Sequence, residues 1–181
     1  IVASLVGSEM CIRDREKSIL NNPATKAGIK IVTVPDDRWK RRDIKTTQLL
    51  AQSIAKSSAV QKGLDDSLLV QDGFINEGSS SNAFIIKDDH IYTPSLSNFI
   101  LGGITRSTVI EFCKTKNIQI IEQKIHVDEV MDAQEVFLTS ATGFVIPVIE
   151  IDGRPVGNGS VGDKVKEIQE IYLEQIKSEL S

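Results

Sequence analysis

A lysine, a glutamate and two turns rich in glycine and hydroxyl groups lie along this chain at distances that could assemble one reactive pocket. Lys45 stands in Asp43-Ile44-Lys45, and Glu77 follows 32 positions later (77 − 45) at the head of Glu77-Gly78-Ser79-Ser80-Ser81-Asn82-Ala83-Phe84. The run Leu101-Gly102-Gly103-Ile104-Thr105-Arg106 has the makings of an anion cradle. Its glycines let the backbone approach a ligand, and the N–H groups of Ile104 and Thr105 open a helix whose N-terminus favours a phosphate dianion. Thr105 adds a hydroxyl donor. Thr139-Ser140-Ala141-Thr142-Gly143 is a second small, hydroxyl-rich turn. Taken singly, a lysine is a solvated surface residue and a glutamate before Gly-Ser is an exposed turn residue. Several residue types at set distances are harder to meet by chance than one short motif, so the blocks are weighed together.

The elements that must position these residues form one alternating unit from about residue 24. Ile29–Val34 is a β-branched run closed by Pro35, which predicts a strand. The spacing of Leu49, Leu50, Ile54, Ala55 and Ala59, with Gly63 just beyond, predicts a helix over 46–62. Leu68–Val70 and Ala83–Ile86 read as strands around an Asp72-Gly73 turn, and Asp88-Asp89-His90 turns into Ile91-Tyr92-Thr93. Helical period covers 105–116 and 127–133, with strands at 118–123, 136–138 and 145–151. Asp152-Gly153 makes a further turn, and 161–180 is an amphipathic terminal helix.

Composition narrows the classes of function. The chain has 181 residues, 40 % hydrophobic and 25 % charged, enough for one domain with a core. A net charge of −4 and only nine aromatic residues (6 Phe, 2 Tyr, 1 Trp) argue against a nucleic-acid surface. The basic run Arg38-Trp39-Lys40-Arg41-Arg42 reads on charge as a solvated face, and only Arg38 is singled out, by its nearness to Lys45. Trp39 reads as a packing residue. Cys11 and Cys113 make no disulfide framework, so a reducing cytoplasm is the expected compartment. His90 in a turn and His126 at a strand end, both expected to be exposed, lack metal-ligand spacing, and no metal is expected. No apolar run approaches a membrane span.

The series from Lys45 through Glu77, the Gly102-Gly103 block and the Thr139–Gly143 turn resembles the class IV aminotransferases, the pyridoxal 5'-phosphate (PLP) enzymes of fold type IV. The resemblance covers residues 24–181 and implies an α/β fold of α+β type: the large C-terminal domain, a pseudo-barrel sheet with flanking helices. It implies that Lys45 holds the cofactor aldehyde as a Schiff base, its amine partly desolvated, set near cations and lowered in pKa. It implies that Glu77 sits beside the pyridine nitrogen and keeps it protonated, so the ring acts as an electron sink. Leu101 would pack on the ring, and Gly103, Ile104 and Thr105 would cradle the phosphate with Ser140 and the Ala141 N–H. Some members carry threonine where this chain has Ala141, so one side-chain hydroxyl is lost there. Arg106 stands between a ligand and a structural ion pair, and Asn82 is expected to tie the local backbone together.

Arg38 matches an arginine that, in the D-amino-acid branch, lies near the cofactor's phenolic oxygen. Asp66 falls where the family has an acidic residue and is a candidate partner for it, the alternative being a surface ion pair worth little. The Phe137–Val148 segment also resembles that branch. The implied reaction passes an amino group from a D-amino acid such as D-alanine to a 2-oxo acid such as 2-oxoglutarate. A branched-chain aminotransferase, an aminodeoxychorismate lyase and an inert module that keeps the fold stay open as alternatives. Members of the family are homodimers. Residues 1–15 do not read as coding sequence: Leu5-Val6-Gly7-Ser8-Glu9-Met10-Cys11-Ile12-Arg13-Asp14-Arg15 resembles a translated sequencing adapter. With 16–23 as a linker remnant, the expectation is a fragment lacking its small N-terminal domain, weakly active or inactive alone.

Overall fold

A computed structural model describes residues 22–180, so the adapter-like stretch, Cys11 and most of the remnant before residue 24 lie outside the described residues. The chain begins with α1 (Pro23–Ala27), capped by the Asn22 side chain, which accepts from the Ala24 N–H at 3.1 Å. The elements that follow are β1 (Ile29–Pro35), α2 (Leu50–Gln61), β2 (Asp66–Gln71), β3 (Phe74–Gly78), β4 (Asn82–Lys87) and β5 (His90–Thr93). After them come α3 (Ile104–Thr115), β6 (Ile120–Glu122), α4 (Val127–Met131), β7 (Glu135–Ser140), β8 (Phe144–Ile151), β9 (Arg154–Pro155) and α5 (Asp163–Leu180).

The strands join one mixed sheet in the order β3-β2-β1-β8-β7-β4-β5-β6, with β9 beside β8. β1 runs parallel to both β2 and β8, and β5 parallel to β6, while the remaining pairs are antiparallel. A short turn over 79–81 links β3 to β4. The path from β3 through β2, β1, β8 and β7 to β4 therefore bends back on itself as a curled half-barrel.

Side-chain alternation divides the core in two. Ile31, Leu68, Ile75, Ala83, Ile85, Val136, Leu138 and Val148 come from six strands and fill the inside of the curl. Phe84, Ile86 and Phe137 point the other way, where Val109, Phe112 and Cys113 of α3 and Val165, Ile168 and Tyr172 of α5 cover them. Those helical positions repeat at three, four and seven residues, so each helix lays one apolar stripe on the sheet. Full burial of one such aliphatic side chain contributes about 1.5–3 kcal/mol.

Three tight turns predicted from sequence take the left-handed backbone: Asp72-Gly73 (φ 53 and 82), Asp88-Asp89 (φ 50 and 60) and Asp152-Gly153 (φ 53 and 76). β3 is a strand that the hydrophobic pattern does not announce, because Asn76, Glu77 and Gly78 occupy buried positions usually held by apolar residues. The helix predicted over 46–62 begins only at Leu50. Local bonds from Gln48 N–H to Thr46 Oγ1 and from Leu49 N–H to Thr47 O hold the preceding residues in turns. Its apolar residues Leu49, Leu50 and Ile54 are exposed instead of facing the core, and Ala59 alone is buried in this helix. The strand predicted over 118–123 shortens to Ile120–Glu122, since the Ile118 N–H closes the end of α3 on the Cys113 carbonyl, with Asn117 at φ 58. His126 caps α4 rather than ending a strand.

Candidate active site

Four segments meet around a cavity of about 500 Å³: the connection from β1 to α2, the β3–β4 turn, the approach to α3, and the end of β7. Its lining includes the nine residues expected from the sequence to meet the cofactor: Arg38, Lys45, Glu77, Leu101, Gly103, Ile104, Thr105, Ser140 and Ala141. The sheet order explains the convergence. β3 and β4 meet where the curl closes, β7 neighbours β4, and Asn82 pairs with Thr139 across that boundary.

Glu77 is not an exposed turn residue but a buried acid in the lining of this cavity, 4 % exposed. Its Oε1 accepts from Arg38 Nη1 at 2.5 Å. Its Oε2 accepts from the Asn82 amide at 3.0 Å and the Leu101 N–H at 3.2 Å. Burial pushes this carboxyl above the usual range, and the opposing pull of Arg38 and the Leu101 N–H only partly offsets it. Asn82 ties the backbone as expected, through a 2.8 Å bond to the Leu101 carbonyl, and it also holds Glu77.

Arg38 does not pair with Asp66. Its guanidinium is held by Asp36 and Glu77, while Asp66 accepts from Ser79 Oγ and lies 3.4 Å from Lys56 Nζ. Strand register gives the reason. Asp66 lies opposite Ile31, whereas Val70 lies opposite Pro35, so Asp66 sits four residues down the strand, roughly 13 Å from the end where Arg38 emerges.

Arg42 corrects the reading of the basic run as a solvated face. It is 6 % exposed, donates to Gln71 Oε1 at 2.7 Å and to the Asp36 and Arg38 carbonyls, and stacks its guanidinium 5.0 Å from the Phe99 ring centre. Burial pulls its pKa below the ordinary arginine value. Trp39 is 40 % exposed at the cavity wall and is not a buried packing residue.

Lys45 is exposed on the rim, not desolvated, and has no hydrogen-bond or ion-pair partner among the described residues. On the far wall Gly103 gives α3 no side-chain cap, which leaves the first-turn N–H groups without a capping acceptor. Ser81 Oγ, Thr139 Oγ1 and Gln52 Oε1 belong to residues that line the cavity and are buried without hydrogen-bond partners. Uncapped N–H groups and orphaned hydroxyls suit an anionic, oxygen-rich ligand, and the volume is that of a small-molecule site. Arg106 turns away into a structural role, donating to Glu122 at 2.5 Å and to the Pro94 carbonyl at 3.1 Å.

Sequence reasoning misses Asp36 and Asn76. Both are buried, and the Asn76 amide donates to Asp36 Oδ2 at 2.8 Å. The available signal is positional: an acid two residues before Arg38, where β1 ends at Pro35.

Among the described residues no group of His, Cys, Asp and Glu could hold a metal ion, and no helix is long and apolar enough to cross a membrane. The chain is 38 % identical over 152 residues to a D-alanine aminotransferase of Bacillus licheniformis, covering 84 % of this chain and 54 % of that one. It is 40 % identical over 151 residues to the D-alanine aminotransferase of Staphylococcus aureus strain COL, covering 83 % and 54 %. The chain thus spans about half the length of these relatives. A solved branched-chain amino acid aminotransferase from T.th., with pyridoxamine 5'-phosphate, superposes with a TM-score of 0.78 at 31 % identity, over 88 % of this chain and 54 % of that one. With the amino-transferase class IV family model matching residues 6–151, this chain belongs to the class IV aminotransferase family.

Proposed function

We propose that this chain is the cofactor-binding part of a PLP-dependent D-amino-acid aminotransferase. One observation carries the reading: an amine, a buried carboxylate and an uncapped, hydroxyl-rich wall converge on one cavity. When bound, the cofactor would supply an aldehyde to take up an amino group and a ring to absorb electrons from the substrate's α-carbon.

The chain's own residues divide the remaining work. Lys45, on the rim of the cavity, would be the amine that holds the cofactor through its aldehyde, and the same amine would serve as proton carrier. Glu77 would accept from the ring nitrogen, with Arg38 balancing its charge. Leu101 would supply an apolar contact for the ring. Gly103 would let the backbone close in, while the N–H groups of Ile104 and Thr105, the Thr105 and Ser140 hydroxyls and the Ala141 N–H would hold the phosphate. The substrates are a D-amino acid such as D-alanine and a 2-oxo acid such as 2-oxoglutarate, favoured by the two D-alanine aminotransferase relatives. Residues 24–181 then form the large domain of a longer, homodimeric protein. The superposition on a branched-chain enzyme keeps that activity as the second reading.

The test is direct. The 181-residue chain is incubated with PLP, reduced with borohydride and mapped by mass spectrometry. The expected product is one phosphopyridoxyl group on Lys45. No adduct, or adducts spread over other lysines, would overturn the assignment. Joined to the remainder of the Bacillus licheniformis relative, the chain should turn over D-alanine faster than L-leucine, and the reverse preference favours the branched-chain reading.

A further inference from the structure

Asp36, at the end of β1, belongs to the wall of the cavity without lining it. Its side chain is wholly enclosed, yet every polar atom it carries is used. Oδ1 accepts from Arg38 Nε at 2.8 Å and from the Arg38 backbone N–H at 3.3 Å. Oδ2 accepts from Arg38 Nη2 at 2.8 Å and from the Asn76 amide at 2.8 Å, with Arg42 Nη1 3.4 Å away.

A carboxylate that takes Nε and Nη2 of one guanidinium fixes the plane of that group as well as its place. The remaining nitrogen, Nη1, is the one that meets Glu77. We propose that Asp36 is a positioning residue, which locks the Arg38 plane so that its free nitrogen holds the Glu77 carboxylate in place at the cavity. The proposal rests on the reading of Glu77 as the acid facing the cofactor ring.

Two effects of Asp36 on Glu77 have opposite signs and can be separated. As a second anion, Asp36 pushes the Glu77 pKa up directly, but this is weaker than the downward pull of Arg38. If Asp36 acts by holding Arg38, removing its charge frees the guanidinium and Glu77 titrates at higher pH. If Asp36 is only a neighbouring anion, removing it lets Glu77 titrate at lower pH. The other cations of this region are Arg42, which is held by Gln71 and by the Asp36 and Arg38 carbonyls as well as lying 3.4 Å from the Asp36 carboxylate, and Lys45 on the rim.

The experiment follows the Glu77 carboxyl by carbon NMR in the 181-residue chain labelled at its glutamates, with no cofactor added, the resonance being assigned by its loss in Glu77→Gln. Asp36→Asn should move the midpoint up. In an Arg38→Gln background the same change should no longer raise it. A fall or no change in a folded Asp36→Asn chain overturns the proposal. If Asp36→Asn does not fold, Asp36→Glu keeps the charge but displaces the fork, and an unmoved Glu77 midpoint there overturns it too. PLP uptake is measured separately. A wild-type chain that takes up no PLP sinks the cofactor reading and leaves the Asp36 result standing, while PLP uptake with a Glu77 midpoint indifferent to Asp36 does the opposite.

Discussion

The Asn82 amide bridges Glu77 and the approach to α3: it donates to Glu77 Oε2 at 3.0 Å and to the Leu101 carbonyl at 2.8 Å. One side chain on β4 thus fixes the acid on β3 against the segment that leads to the uncapped helix. Three parts of the wall are thereby tied to one another by hydrogen bonds, which is how a site keeps its geometry without help from its ligand.

Gly103 is where this bridge is most easily disturbed. A Cβ there would run into Asn82 Oδ1, although the backbone at Gly103 has an ordinary φ of −67 that any residue adopts. Gly103→Ala should therefore act by packing and not by backbone strain. Turning Asn82 away deprives buried Glu77 of a donor, at a cost of about 1–3 kcal/mol. Urea unfolding should show that loss, together with weaker PLP uptake. Unchanged stability and uptake would contradict the bridge.

Lys45 gives the opposite pattern. It is exposed and unpartnered, so Lys45→Ala should leave stability within about 0.5 kcal/mol while abolishing the borohydride-trapped PLP adduct. A trapped adduct of normal yield in this variant would remove Lys45 from the site.

The outline of the site was legible because its motifs are local. Leu101 to Arg106 carries its own turn, its own helix start and its own donors, so its place on the cavity wall follows from a few adjacent residues. The charged cluster behind Glu77 was not legible. Asp36, Arg42 and Asn76 are buried only because the sheet curls β3 and the end of β1 into one corner, and hydropathy treats such residues as solvent-facing. The same tertiary effect hid β3, and strand register rules out the candidate pairing of Arg38 with Asp66. The exposed leucines of α2 failed in the other direction: they have helical period, but no described element packs over them.

Glu77→Gln should divide binding from turnover. The amide keeps the size, and its single oxygen can still accept from Asn82 and the Leu101 N–H while its NH2 faces Arg38 without accepting. The segments proposed to hold the phosphate are untouched, so PLP uptake should change little. The completed enzyme should lose about two to four decades in the proton-transfer half-reaction, because a neutral amide no longer holds the ring nitrogen positive. Single-turnover absorbance measurements separate the two effects. Equal losses in uptake and rate would not fit this role.

The two buried carboxyls should leave opposite marks on stability against pH. Burial pushes the Asp36 carboxyl up, but the Arg38 fork, the Asn76 amide and Arg42 outweigh it and hold it below its ordinary 3.8. The stability Asp36 contributes is therefore complete above that ordinary value and is lost as pH falls through the lower folded value. Glu77 is raised above its ordinary 4.5, so what it contributes is complete below 4.5 and is lost as pH rises through the higher folded value. Urea unfolding from about pH 3 to about pH 7 compares each variant with the wild type, which cancels the titration of all other groups. The deficit of Asp36→Asn should shrink as pH falls below 3.8. The deficit of Glu77→Gln should instead shrink as pH rises above 4.5, because the wild type is then burdened by a buried charge that the amide lacks. Deficits that run parallel across the range would mean that the two carboxyls share one proton-linked role, and the opposed assignment would fail.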